Sequence, residues 1–575
     1  MCALNIRPAS HRLPAGGSAK PKIHRVPAVS SVREGLPLPD LLHAEAHLGI
    51  DFEALQEILG MAALGRELGT QLHDALARST VQGSTWDPEF FADELFVESL
   101  VQACFTLELE GRTYPVNQRF LHRTLVHTPT DLETITFRQA ILRELEEKPT
   151  LLANLKGLYR SVFDLMSLHK APGYQATLDV AAFHLDLLKQ TRKVIDQMHD
   201  GFAEAESGLQ RLHQAARDIR GGREYQTLAR LLQYEQGMAE MTVDLRIGGD
   251  GRIRDLMIRD LREDEKNPFH VKPLRRFFSR LKLAFRGYPI SNRELMNNLI
   301  NEVFSSLSPY FVPLVQLLGH LEFYLTARTF RSRAHALGLD VCLPSFDRST
   351  PLGLDDLFNP LLLVQSATPV PTRIHSASPS QVTLITGPNS GGKTRLLQAL
   401  ALTQMLGQSG IYAPCSRAML RVESGLFVSL IEDESAEQTE GRLGRELMRI
   451  RSLFERMATG SMVILDELCS GTNPSEGVEV FSMVLQLLQR VQPRAFVTTH
   501  FLDFARNLAD QPIIEDLEFL QVQIDDQMVS TYQFEEGVAE TSLAALTAQR
   551  LGVTFERLSS MVRDGVPESD SEPEA

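Results

Sequence analysis

The run Gly387-Pro388-Asn389-Ser390-Gly391-Gly392-Lys393-Thr394 directly follows an apolar stretch, Val382–Thr386. Its GxxxxGK[ST] spacing is that of a phosphate-binding loop. Gly387, Gly391 and Gly392 let successive backbone N–H groups curl around phosphate oxygens. A helix after the loop points its positive end at the same anion. Lys393 sets a cation beside the β- and γ-phosphates, and the Thr394 hydroxyl is a Mg2+ ligand. ATP and Mg2+ are therefore the cofactors these residues ask for. A second group, Met462–Leu465 followed by Asp466 and Glu467, places two carboxylates at the end of a four-residue apolar run. Such a run suits a strand buried on both faces, and open α/β sheets bind ligands outside the carboxyl ends of their strands. Asp466 is the candidate second Mg2+ ligand, and Glu467 the candidate polariser of an attacking water. A third run, Ala495–Thr499, leads to His500. A histidine at a strand end near a γ-phosphate can sense it by hydrogen bonding or charge. The catalytic candidates are Glu467, Lys393 and His500.

These groups need a sheet that brings strand ends together. Past residue 345, short β-branched runs alternate with amphipathic stretches, which predicts parallel strands joined by crossover helices. Before that, the pattern reads as helical from Leu41 to about residue 330. Turn signals interrupt it at Val81–Asp87, Lys170–Gly173 and Gly248–Gly251. Ile195, Met198, Phe202, Ala205, Leu209, Leu212, Ala216 and Ile219 step by threes and fours, a heptad seam. One helix over 180–220 would be a strut roughly 60 Å long; the alternative is an antiparallel helix pair in a bundle. Phe91, Leu95, Val97 and Leu100 form an amphipathic run, so Phe96-Val97-Glu98 reads as core. The predicted fold class is α + α/β. A disordered arm covers 1–39, a long helical region 40–345, a P-loop α/β domain 346–560, and an acidic tail 561–575.

The 575 residues include 58 basic and 73 acidic side chains, for a net charge of −15. This excludes a uniformly basic nucleic-acid coat but not a local groove. Residues 272–286 (KPLRRFFSRLKLAFR) hold Lys272, Arg275, Arg276, Arg280, Lys282 and Arg286 without an acid, and three phenylalanines are interleaved. The stretch can neutralise DNA phosphates, or form an amphipathic helix with solvated charges. No apolar run approaches the roughly 18 residues of a membrane helix, and the first 40 residues lack a signal-peptide core. Five scattered cysteines without CxxC spacing predict neither a disulfide framework nor a zinc site. They read as idle thiols in a reducing cytoplasm. Apart from His500, the histidines show no metal-ligand pairing by this reading.

TGPNSGGKT resembles the TGPNMGGKS loop in the ATPase domain of the MutS family of DNA mismatch repair proteins. LDELCSGTNPSEG (465–477) is similar to that family's Asp-Glu strand and following loop, TTHF (498–501) to its switch-histidine strand, and residues 531–553 to its closing segment. Asn359–Ile374 carries NPLL and VPTRI, which resemble the family's lead-in and nucleotide-base platform, so Val370 joins the nucleotide-binding candidates. The likeness covers about 350–560 and is weaker over Asp131–Leu145 and the helical region. It implies a helical core, lever and clamp region over 40–345 and, over 346–560, an ABC-like P-loop ATPase domain that acts as a dimer, each ATP sandwiched between one subunit's glycine loop and the other's signature loop. The matching signature stretch contains Gly441, Arg442 and Glu446, with Gly441 where the family has a serine. Residues 1–130 hold nothing like the family's mismatch reader. The implied function is ATP-dependent DNA binding of the mismatch repair type. ATP binding and hydrolysis would gate a clamp on mismatched or branched double-stranded DNA. The implied setting is a cytoplasmic, nucleoid-associated homodimer working with downstream repair proteins. Two alternatives stand beside it: another repair or recombination ATPase with coiled-coil arms, and a nucleotide-gated interaction protein that hydrolyses little.

Overall fold

The computed structural model describes residues 38–51, 55, 68–167, 180–235, 240–247, 253–262, 290–347, 351–365, 367–388, 390–430, 442–469, 473–525, 527, 529–540 and 553–564. The arm expected over 1–39 falls outside these but for its last two residues, and the tail over 561–575 but for its first four.

The helical part is organised by one element, Ile290–Ala336. Its 47 residues make a helix roughly 70 Å long at 1.5 Å per residue. From Phe311 to Ala327 every side chain is buried, so this stretch is enclosed on all sides. The helices Leu68–Ala77, Val97–Cys104, Gln118–Val126, Pro149–Ser167, Val180–Gly201 and Arg223–Glu235 pack around it. Pro309 and Pro313 lie inside it. Each removes a backbone donor, which disguises a continuous helix in the sequence.

The single strut expected over 180–220 is corrected. Helix Val180–Gly201 ends, residues 202–209 turn the chain back, and Gln210–Gly221 returns antiparallel to it. His213 Nδ1 donates to the His199 carbonyl at 2.7 Å, and Arg220 pairs with Asp196 and Asp200. The described seam residues are all buried, but in a hairpin core. Residues from Leu132–Glu147 hold the turn. Glu144 accepts the N–H of Glu206 at 2.8 Å and of Ser207 at 3.0 Å. A Cβ on Gly208 would stand 2.3 Å from the Phe137 ring.

The all-helical expectation before residue 330 also gives way at two hairpins, Leu107–Leu109 with Arg112–Tyr114, and Glu240–Ile247 with Ile253–Arg262. In the second, Thr242, Asp244 and Arg246 alternate with Val243, Leu245 and Ile247, a period-two pattern on one side of the GGDG run. Phe96 is not core. Its backbone is left-handed, with φ 50°, and the side chain is 54% exposed, whereas Val97 and Leu100 are buried. The left-handed step before Val97–Cys104 turns the Phe96 ring away from that helix's apolar face.

The α/β part is a six-stranded sheet. In spatial order its strands are Leu426–Ser429, Met462–Leu465, Arg494–Thr498, Val382–Thr386, Leu517–Ile524 and Ser530–Glu536. The first five are parallel, and the last pairs antiparallel with its neighbour. The apolar runs alternate between two faces. Ile385, Val428, Met462, Ile464 and Phe496 belong to the core shared with helix Lys393–Gln408 and the helical part. Leu384, Val463, Leu465, Ala495 and Val497 pack with residues of Arg442–Arg456, Pro474–Val491 and Leu502–Asp510. Each large side chain so buried contributes roughly 1.5–3 kcal/mol. A smaller sheet joins Ser345–Phe346, Arg417–Leu420, Gly353–Leu357 and Thr372–His375.

Cys104, Cys342, Cys415 and Cys469 form no disulfide. Among the described residues no helix is long and apolar enough to cross a membrane.

Glu322 lies fully buried on the long helix. It accepts the Asn117 N–H at 2.9 Å and the Tyr159 hydroxyl at 3.4 Å. Burial pushes its carboxyl up to about 8. The folded state therefore keeps a proton that the unfolded state releases. The resulting stability is complete below the unfolded value and is lost as pH rises through about 8. Thermal or urea unfolding of wild type and Glu322→Gln over about pH 5–9 tests this. Wild type should lose roughly 1.4 kcal/mol per pH unit relative to the variant until pH reaches about 8, and level off above it. Parallel curves would show that Glu322 is ionised in the folded protein.

Candidate functional site

Strand Val382–Thr386 lies inside the sheet and ends at Gly387. Gly387 has φ 137° and Gly392 φ 87°, conformations that favour glycine. Packing adds a second demand, because a Cβ on Gly387 would meet Val522 Cγ2 at 2.7 Å and one on Gly391 would meet it at 2.8 Å. Val522, from the neighbouring strand, thus presses the loop close. Gly392 is the N-cap of Lys393–Gln408, whose first-turn amides open toward the loop. Lys393 is buried, and its Nζ donates to the carbonyls of Gly387 at 2.9 Å and Pro388 at 3.1 Å. Burial lowers its pKa, opposed by the nearby carboxylates of Glu467 and Asp466. Asn359 steadies the helix start, its Nδ2 donating to the Arg395 carbonyl at 3.0 Å.

Strand Arg494–Thr498 runs between the glycine-loop strand and Met462–Leu465, with Thr498 level with Ile385. This order explains the central contact. The Thr394 hydroxyl donates to Asp466 Oδ2 at 2.6 Å, and the Thr498 hydroxyl donates to Asp466 Oδ1 at 2.5 Å. The N–H of Glu467 in turn donates to Thr498 Oγ1 at 2.7 Å. Glu467 has φ 46°, a left-handed backbone that this hydrogen bond helps to hold. His500 follows the same central strand. Burial lowers its pKa, Glu467 opposes that, and Lys393 adds to it, which favours a neutral imidazole at neutral pH.

Three motifs scattered over more than a hundred residues therefore meet at one end of the sheet. The hydroxyl of Thr394 and the carboxylate of Asp466 are an all-oxygen donor set, which suits a hard cation such as Mg2+. The loop amides and the helix start suit an anion. Ser390 is exposed, and Asn389 lies outside the described residues.

Val370 is exposed just before Thr372–His375. Gln533 Nε2 donates to the adjoining Pro371 carbonyl at 2.8 Å. Next to Gln533, Tyr532 is 49% exposed with φ 58°, and its ring carbon lies 3.1 Å from where a Cβ on Gly392 would stand. Sequence reasoning missed Tyr532, Val522 and the bridging role of Thr498. The signal for Thr498 was a hydroxyl closing an otherwise apolar strand.

Arg442 opens helix Arg442–Arg456, which contains Glu446; the side chains of both, and all of Gly441, lie outside the described set. The helix is held by Arg449, which pairs with Glu94 while the Leu430 N–H donates to the same carboxylate. Lys272, Arg275, Arg276, Arg280, Lys282 and Arg286 also lie outside the described residues.

Comparison with known proteins falls on the same sheet. Residues 383–557 match the family model of MutS domain V. The chain is 28% identical over 267 residues to Endonuclease MutS2 of Streptococcus uberis, covering 45% of this chain and 33% of that protein. It is 29% identical over 239 residues to Endonuclease MutS2 of Streptococcus agalactiae and of Streptococcus pyogenes, covering 41% of this chain and 29% of each relative. The chain thus spans about a third of the length of the curated relatives it matches. The matched stretch begins in the strand that feeds the glycine loop and takes in every other strand of the six-stranded sheet, so the site and its sheet are similar to MutS domain V, a likeness that supports a MutS-type, MutS2-like reading of the chain.

Proposed function

We propose that the chain is an ATP-dependent DNA-binding protein of the MutS type, in which ATP binding and hydrolysis by paired α/β domains gate a clamp on double-stranded DNA. The observation that carries this reading is the bridging of Asp466 by Thr394 and Thr498, which joins the glycine loop to the carboxylate strand. The ATPase domain is taken as 346–560 and the core, lever and clamp region as 40–345, with the 47-residue helix as the lever.

The loop amides of 387–394 and the start of Lys393–Gln408 receive the triphosphate. Lys393 exchanges the Gly387 and Pro388 carbonyls for phosphate oxygens. When bound, Mg2+ neutralises charge building on those oxygens, and Thr394 and Asp466 are the residues that hold it. Glu467, its backbone tied to Thr498, orients and polarises the attacking water. Neutral His500 hydrogen-bonds the γ-phosphate. The exposed Val370 and Tyr532 offer the surfaces on which a base can lie. The signature stretch with Gly441, Arg442 and Glu446 is taken, from the family resemblance, as the part that meets the nucleotide of a second copy. Gly441 in place of the family's serine favours slow turnover.

Helix Lys393–Gln408 supports the coupling to the rest of the chain. It begins at the loop, and at its far end Gln408 Nε2 donates to the Pro129 carbonyl at 3.1 Å and Arg138 Nη1 donates to the Ser409 carbonyl at 2.9 Å. A shift at the phosphates is thereby felt in the helical part. The nuclease activity in the relatives' name is not carried over, since the match covers about a third of those proteins.

Steady-state phosphate release with ATP and Mg2+ tests the enzyme reading. Glu467→Gln should lower turnover by about 10²–10⁴-fold while ATP binding persists. Lys393→Ala should lose ATP binding itself. Wild type that releases no phosphate, with or without DNA, would leave a binding protein rather than an ATPase.

The clamp reading is tested by DNA affinity across a salt series, using homoduplex, mismatched and four-way junction DNA. Changing Arg275, Arg276 and Arg280 together to Glu should weaken binding at low salt and reduce the log–log salt slope by roughly 3. An unchanged slope would assign 272–286 to solvated surface.

A further inference from the structure

Residues 38–50 cross the helical part as an irregular strap whose backbone is held by side chains from elsewhere. The Tyr324 hydroxyl donates to the Leu41 carbonyl, Arg138 Nε to that of Leu42 at 2.7 Å, and Gln316 Nε2 to that of His47 at 2.9 Å. Arg211 Nη1 donates to the carbonyls of Asp40 at 3.0 Å and His43 at 2.6 Å. The Asp40 carboxylate accepts the N–H of Leu42 at 2.8 Å and of His47 at 3.0 Å. This last pair of bonds curls the strap so that Asp40, His43 and His47 face one another.

One carboxylate oxygen and one nitrogen from each imidazole lie within 4.8 Å of one another. His43 Nδ1 stands 3.0 Å and His47 Nδ1 3.4 Å from Asp40 Oδ2. The two rings meet edge to face, centroids 4.0 Å apart. His43 Nε2 and both ring nitrogens of His47 are shielded from solvent without a hydrogen-bond partner among the described residues. A buried polar atom without a partner is destabilising. Three such nitrogens beside a carboxylate are a donor set suited to a cation. His320 is outside the donor set, because its Nδ1 already accepts the Leu41 N–H at 3.2 Å.

We propose that Asp40, His43 and His47 bind a transition-metal dication of the zinc class. Two imidazoles and one carboxylate are ligands for Zn2+ and its first-row neighbours, whereas Mg2+ and Ca2+ take oxygen donors. Sequence reading passed over the pairing, because Asp-x-x-His-x-x-x-His lies in irregular chain where spacing implies no shared face. All three donors lie within Asp40–His47, and that stretch is anchored to Leu132–Glu147, Gln210–Gly221 and Ile290–Ala336. The ion therefore acts as a staple that fixes the strap where these helices meet. The site is separate from the nucleotide loop and stands whether or not the chain hydrolyses ATP.

The test uses the full chain, stripped with a chelator and kept free of nucleotide. Co2+ is added while visible d–d absorption is followed, then Zn2+ is added in competition, and thermal unfolding is measured with and without Zn2+. One Co2+ per chain, displaced by Zn2+, and a higher Tm with Zn2+ are expected. His47→Ala should weaken Co2+ binding at least tenfold and remove the Tm rise, while circular dichroism stays that of wild type. His43→Gln is the second variant should His47→Ala fail to fold. Wild type without stoichiometric binding, the result if a buried water fills the site, overturns the proposal. So does a folded variant that binds Co2+ as tightly as wild type.

Discussion

A carboxylate at the end of a buried apolar strand must find donors or lose its charge. Asp466 finds two hydroxyls, one from the helix that follows the glycine loop and one from the strand between. These two short hydrogen bonds cross-tie neighbouring strand ends and hold the site's acidic turn against its glycine loop. The positive φ of Glu467, its N–H to Thr498, and the burial of Lys393 all follow from that tie. Parallel strands make it possible, since only a parallel sheet brings consecutive carboxyl ends to one edge.

Helix Lys393–Gln408 connects the site to the helical part. Nearly all its side chains are buried, because the sheet covers one side and the helical part the other. An enclosed helix moves as a unit, since interior packing leaves no slack. Arg138 stands at its far end, spanning the Ser409 carbonyl and the strap at Leu42. One fully buried guanidinium thus links the helix behind the glycine loop to the segment that carries Asp40, His43 and His47. At the same helix end, Gln408 Nε2 donates to the Glu423 carbonyl at 2.8 Å; Trp86 Nε1 donates to that carbonyl at 3.0 Å, and the Glu423 side chain is paired with Arg421 and Arg494. These polar ties join the helical part to the sheet where helix Lys393–Gln408 ends.

The corrections share a cause. The three-and-four spacing from Ile195 to Ile219 is satisfied equally by one long helix and by a hairpin whose turn is also buried. The turn is set by Phe137, packed where Gly208 has no Cβ, and by Glu144, which caps the turn amides; no local pattern includes either. Conversely, Pro309 and Pro313 argue locally against a helix that packing against its neighbours then sustains. The strands at Glu240–Ile247 and Ile253–Arg262 were legible in their alternation, yet their helical surroundings masked it. Phe96 shows the finest grain: a single left-handed residue rotates one aromatic out of an otherwise regular apolar stripe.

The residue chemistry of the candidate site was written in the sequence. Glycines before Lys393-Thr394, paired acids after an apolar run, and a histidine after another are short-range patterns, and each needs only its own strand or helix to take shape. Their convergence needed strand order, which decides that Thr498 lies between the other two. Tertiary structure alone decided where the chain turns back after Gly201, which helix runs unbroken for 47 residues, and how the strap around Asp40 is pinned. Those outcomes depend on contacts such as that between Leu41 and His320, 279 positions apart, and on which buried polar groups find partners. A linear pattern records what each residue can offer; only the packed chain settles which offers are taken up.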